Sequence, residues 1–257
     1  MGEDRKPIAL VTGASRGIGR AIAVSLARAG FDVAGGATAP SPALTHTEAS
    51  VVEAGSRFLP LTGDLADLDR HEAMVDSVLE HYGRIDLLVN NAGTAPEVRA
   101  DILETAPASF DRVWQVNTRG TFFLTQRIAR QMLRQENDPP AAIIFISSIS
   151  AVTSSPSRAE YCLSKAAVSH MAHLFADRLA EAGVNVYDVR PGIIRTDMTG
   201  PAAETYDALI AGGLIPQGRW GEPEDIARGV VALARGDFGY ATGGVIELSG
   251  GMNIRRL

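Results

Sequence analysis

The stretch Ile8-Ala9-Leu10-Val11-Thr12-Gly13-Ala14-Ser15-Arg16-Gly17-Ile18-Gly19 decides the fold. A short apolar run passes directly into a glycine-rich turn, and a helical period opens on the last glycines. Backbone N–H groups at the start of such a helix can face a pyrophosphate with no Cβ in the way, and the macrodipole favours the anion there. The spacing is G-x-x-x-G-x-G, not the G-x-G-x-x-G of the common dinucleotide fingerprint, and no G-K-S/T follows, which argues against an NTPase P-loop.

Working outward, β-type runs at residues 8–12, 31–37, 58–61 and 85–90 alternate with helical periods at 18–29 and 69–82. A long helical stretch at 110–134 follows, then a strand at 142–147, a helix at 159–182, a strand at 184–189, a helix at 223–235 and a last strand at 245–248. The strands are continuously apolar, so both faces are buried, which predicts an α/β doubly wound, Rossmann-like parallel sheet of about seven strands with helices on both faces. The Ala/Pro/Ser/Thr-rich piece 37–49 reads as a surface loop, and residues 195–220, rich in Gly and Pro, read as a mobile substrate lid at the carboxyl edge. With no linker or repeat, residues 1–257 are expected to form one domain.

Composition narrows the function. The chain has 46% apolar and 21% charged residues, a balance typical of a packed globular protein. Its 24 Lys+Arg against 30 Asp+Glu give a net charge of −6, with no block of like charge, so nucleic acid and anionic membranes are not expected partners. The lone Cys162 allows no internal disulfide, and no Cys/His spacing resembles a metal site. The opening Met1-Gly2-Glu3-Asp4-Arg5-Lys6 resembles neither a signal peptide nor a membrane span, and Lys6 fails the myristoylation pattern, so the cytoplasm is the expected location.

The cofactor preference follows from what ends the second strand. An NAD site usually has an acidic residue about 20 residues beyond the glycines, accepting from the ribose 2′-OH. Gly35-Gly36-Ala37-Thr38-Ala39 has none, and Asp32 lies too early in the strand. Arg16 and Thr38 are instead suited to a 2′-phosphate, which favours NADP(H), with NAD(H) possible.

Tyr161-Cys162-Leu163-Ser164-Lys165 supplies the chemistry. Four-residue spacing puts Tyr161 and Lys165 on one helix face. A phenol titrates near ~10, and lowering it about three units requires roughly 4 kcal/mol of differential stabilisation, which an ammonium and a helix N-terminus can contribute. Lys6 and Lys165 are the only lysines, so a chance Y-x-x-x-K is expected only about 0.04 times. Cys162 reads as a packing residue, and His170 and His173 as surface or packing residues with no third metal ligand in view.

Taken in order, Thr12 to Gly19, Asp64-Leu65, Asn90-Asn91-Ala92-Gly93, Asn117, Ser148, Tyr161 with Lys165, and Pro191-Gly192 followed by Ile194 and Thr196 resemble the short-chain dehydrogenase/reductase family over nearly the whole chain. The resemblance implies catalytic Asn117, Ser148, Tyr161 and Lys165. Ser148 would bond the substrate oxygen, Tyr161 transfer the proton, Lys165 hold the nicotinamide ribose and lower the Tyr pKa, and Asn117 anchor a water relay. It also implies cofactor contacts from Gly13, Ser15, Arg16, Gly17, Ile18, Gly19 and Thr38, and from Asp64 to the adenine amino group with Leu65 beside it. Asn91 would lie against the adenosine ribose and Thr196 would contact the nicotinamide carboxamide, with Ala92, Gly93, Pro191, Gly192 and Ile194 as further cofactor contacts. Ser147 and Ser150 compete with Ser148; strand alternation does not separate 148 from 150, and the family's thirteen-residue spacing before the tyrosine selects Ser148.

The overall look is closest to 3-oxoacyl-[acyl-carrier-protein] reductases, which implies an acyl carrier protein partner and a homotetramer; no metal is expected from the residue spacing. The positions that resemble carrier-facing arginines hold Pro139 and Ala182 here, with Arg130, Arg134 and Arg178 as substitutes. A sugar or polyol dehydrogenase is the next expectation, and a non-catalytic dinucleotide sensor or scaffold is the alternative from another class.

Overall fold

The computed structural model describes residues 6–136 and 141–255; Met1 to Arg5 and Pro139 lie outside the described residues. Its seven parallel strands are β1 (Ile8–Val11), β2 (Asp32–Ala37), β3 (Phe58–Thr62), β4 (Leu87–Asn90), β5 (Ala142–Ile146), β6 (Asn185–Pro191) and β7 (Val245–Leu248). They lie in the order β3-β2-β1-β4-β5-β6-β7. The chain winds outward from β1 in one direction and from β4 in the other, so the strand order reverses between them and their carboxyl ends leave a crevice.

Alternation along buried strands builds two cores. Ile8, Leu10 and Leu88 face α3 (Arg70–Tyr82), α5 (Thr121–Met132) and α6 (Ala159–Leu179). Ala9, Val11 and Val89 face the other way, toward α1 (Gly17–Arg28), α2 (Pro42–Glu53) and α8 (Pro223–Ala234). Burial on both faces accounts for the unbroken apolar runs.

One expectation needs correction and two gain detail. The segment expected to be a loop at 37–49 contains most of α2: Ser41 Oγ accepts from Leu44 N at 3.3 Å and Pro42 takes the first turn, a favoured helix start. Only Leu44, Thr47 and Val51 are buried on it, which is why its apolar period is faint. The helix expected at 110–134 is α4 (Pro107–Trp114), a π-helical turn Gln115–Gly120 and α5, so its backbone pattern changes where Asn117 sits. Within 195–220, α7 (Ala203–Ala211) forms, and Ile210, Ile215 and Trp220 close a small core with Ile193. This segment has structure of its own.

Candidate active site

A cleft of about 380 Å³ opens at the carboxyl edge of β1 and β4. All the residues named above for cofactor contact line it, as do Ser148, Tyr161 and Lys165; Asn117 stands one layer behind.

At one end the glycine turn is set by backbone atoms. Gly13 has φ +66°, and a Cβ there would lie 2.9 Å from Ala92 Cα. A Cβ at Gly19 would lie 2.1 Å from the Gly13 carbonyl oxygen, so α1 approaches the turn as closely as it does only with glycine. Thr12 Oγ1 accepts from both Asn91 N and Ala92 N at 3.0 Å, and Asn91 Nδ2 donates to Thr12 O at 2.9 Å. Thr47 Oγ1, from the unexpected α2, donates to Ala14 O at 3.0 Å. Arg16, the residue before α1, makes no side-chain cap, which leaves the helix N-terminus open to an anion. The room left by the glycines and the open helix start fit a dinucleotide phosphate.

Around the rim, no acidic residue ends β2. Asp32 is buried at its far end and pairs with Arg57 at 2.6 Å. Arg16 lies 3.6 Å from Asp197, both mostly exposed, and Thr38 is exposed beside the cleft. Asp64 accepts from Ala66 N through Oδ1 and binds Arg112 at 2.9 Å through Oδ2, so its carboxylate is engaged by a cation that the sequence reading missed. The two residues are 48 positions apart, and no local pattern joins them.

The other end is built from side chains. Ser148 lies just past β5, where its Oγ accepts from Ser150 N at 3.0 Å. Ser147 turns away to hydrogen-bond Asp188, and the buried Ser150 receives Arg158, so Ser148 is the member of the trio that reaches Tyr161. Tyr161 sits in the first turn of α6, and Lys165 Nζ lies 5.8 Å from its ring centroid. Lys165 is buried and donates to Ile146 O at 2.9 Å; burial pulls its ammonium down to about 8, with Asp188 opposing. Burial pushes the Tyr161 phenol up, while Arg158 and the Ser148 hydrogen bond pull it down. Arg158 is thus a cation beside the phenol that the sequence reading missed, in addition to Lys165.

Asn117 is fixed by the π turn. Its Oδ1 accepts from Thr94 N at 2.8 Å and its Nδ2 donates to Thr94 O and Ser164 Oγ, both at 2.9 Å. Gly93 leaves space before this group: a Cβ there would lie 3.3 Å from Asn117 Oδ1 and 3.5 Å from Lys165 Nζ.

A dinucleotide cradle joined to a hydroxyl, a phenol and an ammonium is the constellation of a nicotinamide-dependent oxidoreductase. The chain belongs to the short-chain dehydrogenase/reductase family: a family model described as enoyl-(acyl carrier protein) reductase matches residues 13–253. It is 34% identical over 249 residues to a 2-dehydro-3-deoxy-D-gluconate 5-dehydrogenase of Dickeya dadantii, covering 96% of each chain. A crystal structure of a 3-oxoacyl-[acyl-carrier protein] reductase from Brucella melitensis in complex with NAD is 46% identical, with a TM-score of 0.96 over 99% of this chain and 100% of the other. That of a putative 2-deoxy-D-gluconate 3-dehydrogenase from Agrobacterium tumefaciens with bound NADP is 33% identical, with a TM-score of 0.85 over 98% of both. The cofactor is therefore a nicotinamide dinucleotide. Among the described residues no helix is long and apolar enough to cross a membrane.

Proposed function

We propose that the protein is an NADP(H)-dependent ketone/secondary-alcohol oxidoreductase whose leading substrate class is 3-oxoacyl thioesters carried on acyl carrier protein. The observation that carries the chemistry is the meeting of Ser148, Tyr161 and Lys165 in one cleft with the glycine turn. Ser148 donates to the substrate oxygen and orients the carbonyl. The Tyr161 hydroxyl gives its proton to that oxygen as negative charge develops, the step for which a positioned acid matters most. Lys165 binds the nicotinamide ribose, and Asn117 holds the polar path behind it through Thr94 and Ser164. When bound, the nicotinamide supplies the hydride.

NADP(H) is favoured because β2 ends without a carboxylate and Arg16 stands at the rim; NAD(H) is the second reading, favoured by the NAD held in the Brucella relative. A sugar-acid dehydrogenase is the second substrate reading, since the Dickeya relative carries that name. The exposed faces of Phe123, Leu163 and Leu174 on the long helices support a homotetramer, and the free Cys162 suits a cytoplasmic enzyme.

Tyr161→Phe tests the core of this reading. Assayed on a 3-oxoacyl thioester and a deoxy sugar acid, it is expected to lower kcat by about 10²–10⁴-fold while leaving nucleotide affinity nearly unchanged. Turnover surviving on the better substrate removes the mechanism.

A further inference from the structure

Arg158 was not singled out by the sequence, yet it is built into the catalytic end. It closes the 3₁₀ turn Pro156–Arg158 ahead of α6, and its guanidinium carbon lies 5.3 Å from the centroid of the Tyr161 ring. Two hydrogen bonds hold it there: Nε donates to Ser155 Oγ and Nη2 to Ser150 Oγ, each at 3.1 Å. No acidic side chain among the described residues forms an ion pair with it, and the acid closest in sequence, Glu160, accepts instead from Ser109 Oγ at 2.7 Å. A partly buried guanidinium, always protonated, thus spends its charge on a ring and two hydroxyls.

We propose that Arg158 is a positioning residue for the reaction: tethered by Ser150 and Ser155, it holds a permanent positive charge over Tyr161 and favours the phenolate that proton transfer leaves behind. This rests on the reading of Tyr161 as the proton donor.

Two cations flank the phenol and they differ in kind. Lys165 is buried, with its Nζ committed to Ile146 O, and burial disfavours its charge. Arg158 stays charged under any condition in which the protein folds. The other groups facing Tyr161 among the described residues are Ser148 from the end of β5, Cys162 from its own helix and Tyr206 from α7; Asp188 of β6 acts on Lys165. None of these supplies a second fixed positive charge.

The test follows the tyrosinate directly. The ultraviolet phenolate signal is titrated in the full-length protein and in Arg158→Gln, with the Tyr161→Phe titration subtracted so that only Tyr161 is read. The Tyr161 midpoint is expected to rise by about one pH unit in Arg158→Gln and to return most of the way in Arg158→Lys. The pH midpoint of kcat should move with it. An unmoved Tyr161 midpoint in folded Arg158→Gln overturns the proposal. If that variant does not fold, the Ser150→Ala/Ser155→Ala pair frees the guanidinium without removing it; a smaller rise is expected there, and no rise overturns the proposal equally. Retained turnover in Tyr161→Phe refutes the functional reading instead, and the absorbance titration still decides the role of Arg158.

Discussion

The two ends of the cleft are held by different forces. At the glycine turn the tolerances are set by backbone: Thr12, Asn91 and Ala92 tie β1 to β4, and α1 comes so close that a single Cβ has no room. At the catalytic end they are set by charge and hydroxyl groups brought from β5, β6, the π turn and α6, with Lys165 and Asp188 both buried. A ligand phosphate needs close approach to N–H groups, which only missing side chains allow. A proton donor needs neighbours that tune its charge, which side chains alone provide. Steric change should therefore be severe at the first end, and removal of charge informative at the second.

Gly19→Ala gives the largest effect. The new Cβ meets Gly13 O at 2.1 Å and Asn91 Nδ2 at 2.5 Å, so α1 must move and the turn opens. A loss of about 3 kcal/mol of stability is expected by urea unfolding, together with loss of dinucleotide binding by titration calorimetry. Gly200→Ala is the control, since a Cβ there meets nothing within 4 Å; it should stay within about 0.5 kcal/mol of the parent. Similar costs for the two would erase the contrast between the ends.

That asymmetry also explains what could be read from the sequence. The glycine turn is contiguous, so its function shows in a short string, and the buried parallel strands announce themselves as apolar runs; all seven strands form close to where the runs predict. Tyr161 and Lys165 lie one helical turn apart and are legible for the same reason. Pairs such as Asp64 with Arg112 join elements whose adjacency depends on how the helices settle on the sheet, and periodicity does not encode that. Arg158 was missed although it lies three residues from Tyr161, because its meaning comes from Ser150, placed by the chain's exit from β5. Helix α2 was missed because it buries three side chains, one of them a threonine.

Lys165→Met sharpens the comparison from the catalytic side. Burial lowers the ammonium from 10.5 to about 8, so the folded state binds fewer protons than the unfolded chain between those values. The sign is then fixed: the wild-type protein is penalised below pH 8, and the penalty shrinks as pH rises from about 8 to 10.5. Its upper bound is about 3 kcal/mol, from which about 1 is subtracted for the lost hydrogen bond to Ile146 O. The variant is expected to be inactive yet more stable by about 1–2 kcal/mol at pH 7, with a gain that fades by pH 10. Equal stability at pH 7, or a gain that grows with pH, would show that the buried ammonium carries no such cost.

Arg16→Ala is the mildest change and probes whether charge also matters at the glycine end. Arg16 and Asp197 are each 70% exposed and 3.6 Å apart, a geometry in which an ion pair contributes little to folding. The guanidinium is therefore free to leave Asp197 for a phosphate at little cost, and its removal should leave the unfolding midpoint unchanged. A 2′-phosphate would lose a charge-assisted partner that a 2′-hydroxyl never had. NADPH affinity is expected to fall about tenfold and NADH affinity to stay level, which converts to a loss of about 1.4 kcal/mol confined to one cofactor. If wild-type protein binds the two equally, or if Arg16→Ala weakens both alike, Arg16 acts only as part of the turn, and the glycine end selects by shape alone.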